Sequence, residues 1–139
     1  MFNTHTAAPV FVLCAMAFGV SAAGAAIENI DFSKVRIQDP FWSPRLNELA
    51  ANTIPHCIDQ IENKTLRMGN FINAAAGRGK HSGLCYDDSD VYKAMEGMAY
   101  SLVNNPDPAL ERKLEEWINL ISKAQWDDGY LNTYYTIAA

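Results

Sequence analysis

Asp90-Val91-Tyr92-Lys93-Ala94-Met95-Glu96-Gly97-Met98-Ala99-Tyr100-Ser101-Leu102-Val103 runs into Asn104-Asn105-Pro106-Asp107-Pro108, and then into Ala109-Leu110-Glu111-Arg112-Lys113-Leu114-Glu115-Glu116-Trp117-Ile118. Val91, Ala94, Met95, Met98, Ala99, Leu102 and Val103 make one apolar stripe at helical spacing. Leu110, Leu114, Trp117, Ile118, Ile121 and Ala124 make another. Between them, Asp107 is the expected cap of the later helix, with Pro108 at its first position. Helices joined by so short a turn run antiparallel, so this stretch predicts an αα-hairpin. The earlier helix is expected to begin near Ser89 or Asp90. Its methionines sit at core spacing, and packing accounts for them.

Upstream, Leu46, Leu49, Ala50, Thr53, Ile54, Cys57, Ile58 and Ile61 form a further stripe, which Pro55 is expected to kink or divide. Ser43-Pro44 reads as its cap and first turn, with Phe41 and Trp42 packed at the entry. Residues 32–37 alternate partly and read as a short strand or extended arm. Phe71 to Ala76 is expected to form a short helix, followed by the glycine-rich loop Gly77-Arg78-Gly79-Lys80-His81-Ser82-Gly83. No strand feeds that loop and its glycine spacing is wrong for phosphate, which argues against nucleotide binding. No βαβ alternation is present, so doubly wound folds are excluded. The expected class is all-α, the opening helical hairpins of an incomplete α/α barrel. Unclosed, such a barrel leaves apolar helix faces uncovered, and poor solubility or partial folding is expected of the chain alone.

Composition narrows the function. The chain has 139 residues, room for one domain, and 49% are hydrophobic, too many for a disordered chain. Its net charge of −5, with scattered lysines and arginines, gives no nucleic-acid footprint. Residues 1–26 contain no Asp, Glu, Lys or Arg, and an apolar run there leads to Ser21-Ala22-Ala23-Gly24-Ala25-Ala26. That order reads as a signal peptide over 1–26, with an exported chain over 27–139, periplasmic or extracellular. The apolar run is too short for stable membrane insertion. Cys57 and Cys85 are either a disulfide pair in an oxidising compartment or free thiols. The place of Cys57 on an apolar helix face favours a buried thiol. Neither has histidines at ligand spacing, so no metal site is expected in this chain.

Chemistry concentrates in two clusters. Tyr86-Asp87-Asp88-Ser89-Asp90-Val91-Tyr92-Lys93 gathers carboxylates at a helix start. Capping and the helix dipole explain some of them; the surplus needs a cation or a polyhydroxyl partner. Lys93 is one such cation, and Glu96 is placed to pair with it. Gln125-Trp126-Asp127-Asp128-Gly129-Tyr130-Leu131-Asn132-Thr133-Tyr134-Tyr135 mixes aromatics, acids and amides around a turn glycine. Aromatic faces cover apolar sugar surfaces, while Asp and Asn bond hydroxyls. Tyr86, Asp87, Asp90 and Tyr130 are the candidate sugar-binding residues. Asp90 and Asp128 are not expected to be a catalytic pair, since both have local structural duties.

Phe41-Trp42-Ser43-Pro44-Arg45, Thr53-Ile54-Pro55, Asp88-Ser89-Asp90-Val91-Tyr92-Lys93, Glu96-Gly97-Met98-Ala99-Tyr100, Asn105-Pro106-Asp107-Pro108 and Asp128-Gly129-Tyr130-Leu131-Asn132-Thr133-Tyr134 together resemble the amino-terminal part of the β-L-arabinofuranosidase family of glycoside hydrolases. The resemblance spans about residues 35 to 137. It implies an α/α-barrel catalytic domain followed by β-sandwich domains, releasing L-arabinofuranose from plant glycans with retention. It further implies a cysteine nucleophile in a zinc site of cysteines and a glutamate, with a second glutamate as acid/base. None of those motifs occurs in this chain. Zinc is therefore expected only of the full-length enzyme, and the chain alone is expected to be inactive with a carbohydrate partner. Competing readings are a small exported carbohydrate-binding helical module, and another α/α-barrel hydrolase such as an unsaturated-uronide hydrolase. The latter calls for a basic pocket, which the sequence does not show.

Overall fold

The computed structural model describes residues 28–138, and every regular element among them is helical. The chain divides into the units Met1–Ile30 and Asp31–Ala139, and the described helices lie in the second. The signal-peptide reading of residues 1–26 lies outside the described residues. Of the expected short strand or extended arm over 32–37, no strand is formed among the described residues. Phe32–Lys34 is a 3-10 turn capped by Asp31, and Val35 leaves it in extended conformation. A lone alternating segment has no ladder partner among the described residues, and stays a turn with a tail.

The next helical run contains α1 (Trp42–Glu48) and α2 (Ile54–Asp59), separated by a π-turn at Leu49–Thr53 and followed by another at Gln60–Lys64. Its cap is Asp39 rather than Ser43. Asp39 Oδ1 accepts from the Phe41 and Trp42 amides at 2.8 and 2.6 Å, and Ser43 Oγ accepts from the Asp39 amide at 3.1 Å. This reciprocal box starts the chain one turn early. Pro55 divides the run as expected. It has no N–H to give, and the Ile54 amide just before it reaches back five residues to the Leu49 carbonyl.

Leu66, with φ of 56°, turns the chain sharply into α3 (Arg67–Ala75). This left-handed leucine costs about 1–2 kcal/mol. Helix α4 (Asp88–Asn104) and α5 (Pro108–Ala124) form the expected hairpin, and a short α6 (Thr133–Ala138) follows. Asp107 Oδ1 caps α5 by accepting from Ala109 and Leu110 at 2.8 and 3.3 Å.

Helix α3 packs against α4, α5 and α6. The core joins Ile54, Ile61, Met68, Phe71, Ala74, Val91, Met98, Trp117 and Ala124. Helix α4 also packs against α2, and Gly97 lies at that contact, where a Cβ would just touch Ile54 Cδ1 at 3.4 Å. Trp117 is fully buried, and its indole N–H donates to Glu62 Oε1 at 2.8 Å. Lys113 Nζ meets the same oxygen at 3.1 Å and Glu116 at 2.9 Å. These contacts fasten the second π-turn to α5. The predicted stripes miss in detail: Ile118 is 50% exposed, and Leu120 packs on the core instead. Large aromatic side chains such as Phe41, Trp42, Tyr100 and Tyr135 are exposed.

Candidate functional site

The acidic start of α4 does not cap its own helix. No side-chain oxygen of Asp87 bonds the first turn. Asp87 is buried; its Oδ2 accepts from the Leu84 amide at 2.9 Å and lies 3.5 Å from Arg67 Nε. Gly83 is required beside it, with φ of 90° and room for no Cβ, which would fall 2.1 Å from Asp87 Oδ2. Asp90, half-exposed, reaches Arg67 at 3.2 Å and Lys93 at 3.0 Å. Arg67 therefore supplies most of the cation that the carboxylate surplus calls for, and Lys93 pairs with Asp90, not with Glu96. The left-handed Leu66 immediately precedes Arg67 at this turn.

Asp88 does something different. It is buried, and both its oxygens go to Thr133: Oδ2 accepts from the amide at 2.8 Å and Oδ1 from the hydroxyl at 2.6 Å. Asn132 Oδ1 caps the same helix by accepting from the Tyr135 amide at 3.0 Å, and Asn132 Nδ2 donates to the Cys85 carbonyl at 3.5 Å. The two sequence clusters thus meet, joined through Asp88–Thr133 and Asn132–Cys85.

Tyr92 packs edge-on to Phe71 with ring centroids 5.9 Å apart. Burial, and then the Asp88 carboxylate, push its phenol up to about 12. An unfolded tyrosine ionises near pH ~10. The folded state therefore holds this proton more tightly, and the stabilisation is complete below pH ~10 and lost as pH rises toward the folded value. Screening at a half-exposed ring limits the amount to about 1 kcal/mol. Tyr92→Phe is expected to abolish that alkaline loss, read as an unfolding midpoint followed across the alkaline range. An unchanged alkaline loss in the variant would refute the assignment.

The candidate residues fall into separate positions. Asp87 and Asp90 share Arg67. Tyr86 is 65% exposed at the end of the loop before α4. Tyr130 lies in the turn Trp126–Tyr130, where its ring is 5.2 Å from that of Trp126. That turn is closed by Trp126 N–H on the Tyr130 carbonyl, Gly129 N–H on the Trp126 carbonyl and Gln125 Nε2 on the Gly129 carbonyl. Asp128 Oδ1 accepts from the Tyr130 amide at 2.9 Å, the structural duty expected of it. The residues that sequence reasoning did not single out are Arg67, Asn70, His81 and Thr133. Thr133 begins a helix, and Arg67 is the nearest preceding cation outside the glycine loop; only tertiary contact reveals their partners.

Among the described residues no group of three or more His, Cys, Asp or Glu is gathered to hold a metal ion. Cys57 and Cys85 are free thiols, the first half-buried and the second exposed.

A sequence model of the β-L-arabinofuranosidase GH127 catalytic domain matches residues 34–139. The non-reducing end β-L-arabinofuranosidase of Bifidobacterium longum subsp. longum is 33% identical over 123 residues, covering 74% of this chain and 18% of that protein. The crystal structure of a GH127 β-L-arabinofuranosidase from Geobacillus stearothermophilus T6 superposes with a TM-score of 0.71 at 35% identity, over 74% of this chain and 17% of that one. A second GH127 β-arabinofuranosidase gives 0.69 at 38% identity, over 76% and 17%. The chain spans less than a fifth of the length of these relatives.

Proposed function

Since the chain belongs to the GH127 β-L-arabinofuranosidase family, we propose that it supplies one helical wall of an arabinofuranoside-binding cleft and does not itself cleave the bond. The observation that carries this is the joining of the acidic loop to the aromatic segment through Asp88 and Thr133. It draws the loop before α4 to the start of α6, and a sugar site calls for aromatic faces and polar groups of the kind these two segments carry. Tyr86 and Tyr130 offer exposed ring surface, and Asp90 retains partly exposed carboxylate oxygens. Asp87 contributes by holding the loop.

Hydrolysis with retention, and L-arabinofuranose as the sugar released, are the activity we assign to the whole family enzyme. The zinc-held cysteine that the resemblance implies does not fit the residues present. Cys57 and Cys85 sit on separate elements with no ligands gathered among the described residues, and the carboxylates at α4 are engaged with Arg67, Lys93 and Thr133. No catalytic step is assigned to this chain. Export to the periplasm or beyond belongs to the same reading and rests on the uncharged, apolar residues 1–26.

A test is titration of the full chain with a methyl L-arabinofuranoside, following tryptophan fluorescence from the exposed Trp126. The expected result is saturable quenching with no release of arabinose. Unaided release at enzyme-like speed, or no saturable response, would overturn the proposal.

A further inference from the structure

We propose that His81 is a sugar-hydroxyl contact whose Nδ1–H is fixed in place as a donor by Asn70. The inference deepens the cleft reading above and rests on it.

Asn70 is only 1% exposed. Its Oδ1 accepts from the Ser82 amide at 2.9 Å, and its Nδ2 donates to the Ser82 carbonyl at 2.9 Å. This pair fixes which end of the amide is which, because a flipped amide would set donor against donor and acceptor against acceptor. The second hydrogen of Nδ2 then faces His81 Nε2, 3.2 Å away. Nε2 must accept, so the neutral ring carries its proton on Nδ1. Among the described residues Nδ1 has no hydrogen-bond partner, and the ring is half-buried.

The ring plane is set as well. Tyr134 meets it edge-on, with centroids 5.2 Å apart and planes at 80°. The loop is pinned on both sides of His81. Asn73 Nδ2 donates to the Lys80 carbonyl at 3.3 Å, and Gly79 has room for no side chain, since a Cβ would fall 2.6 Å from Asn73 Cγ. Anchoring the loop would need only the Ser82 pair. The third bond of Asn70 orients a ring. What results is an oriented N–H donor beside a partly exposed tyrosine ring, the pairing that binds a hydroxyl and an apolar sugar face together. Tyr134 stands next to Thr133, so His81 borders the region where the acidic loop and α6 join.

The experiment is nitrogen-15 NMR of the imidazoles in the full chain, alone and with a methyl L-arabinofuranoside. Expected are a protonated Nδ1 and a bare Nε2 for His81 without sugar, and a saturable shift of Nδ1 with it. His81→Phe keeps a ring against Tyr134 and removes the outward donor; it is expected to weaken arabinoside binding about five- to tenfold. Asn70→Asp turns an acceptor toward Nε2 and is expected to move the proton there, weakening binding while His81 is intact. The Nε2–H tautomer in the unmodified chain would overturn the inference even if neither variant folds. An arabinoside that shifts Tyr86 and Tyr130 signals and leaves His81 untouched would overturn it alone and leave the cleft reading standing. No saturable response anywhere would overturn both.

Discussion

Asp88→Ala is expected to release α6 and to lower stability by about 3 kcal/mol. The carboxylate is buried and both its oxygens are occupied by Thr133, at 2.6 and 2.8 Å. Hydrogen bonds to a charged group contribute about 1.5–3 kcal/mol each, and their removal here strands the buried Thr133 amide and hydroxyl. Asp88→Asn keeps one carbonyl acceptor and should retain roughly half of the stabilisation. Amide hydrogen exchange over residues 133–138 is the direct measurement. Protection there that survives the alanine change would mean that α6 is held by apolar packing alone. The same substitution also removes the charge that helps raise the Tyr92 phenol, so the phenol should ionise at lower pH in Asp88→Ala.

The second large effect is expected at Trp117. It is fully buried in the common core and bonded through its indole N–H to Glu62. Truncation to alanine should cost about 3–5 kcal/mol, the usual range for an aromatic ring lost from a packed core. Trp117→Phe separates the contributions. The phenyl ring preserves much of the apolar burial, while Glu62 keeps Lys113 as a partner. A loss of only about 1–2 kcal/mol is therefore expected for phenylalanine. Urea unfolding midpoints of the full chain would read both. If alanine and phenylalanine cost the same, the bond to Glu62 would be the dominant contribution and the packing account would fail.

Local signals were well written in the sequence. The helix after Asp87, the Asp107-Pro108 start and the division at Pro55 all follow from spacing and backbone chemistry, and each occurs in the structure, though of the stripe from Val91 to Val103 Ala99 is exposed. Long-range partners were not legible. Asp87, Asp88 and Asp90 look alike as a run, yet one braces a loop, one clamps a distant helix and one faces a shared arginine. Nothing in their spacing distinguishes these fates, because each depends on which side chain the tertiary fold delivers. The cap of α1 was misplaced for a simpler reason. Asp39-Pro40 and Ser43-Pro44 are both plausible starts, and the structure uses them as two halves of one box. Asn70 was invisible for the opposite reason: a single buried amide carries no pattern until its loop folds back on it.

Synthesis proceeds from the amino end, and this gives the Asp88–Thr133 tie a temporal meaning. The acid is translated 45 residues ahead of its partner. While the ribosome is still extending the chain, Thr133 is not yet there to meet that carboxylate, and the bonds that occupy it in the folded chain form only after Thr133 has emerged. Nascent chains stalled before that residue should hold the start of α4 loosely, and those stalled well after it should hold it firmly.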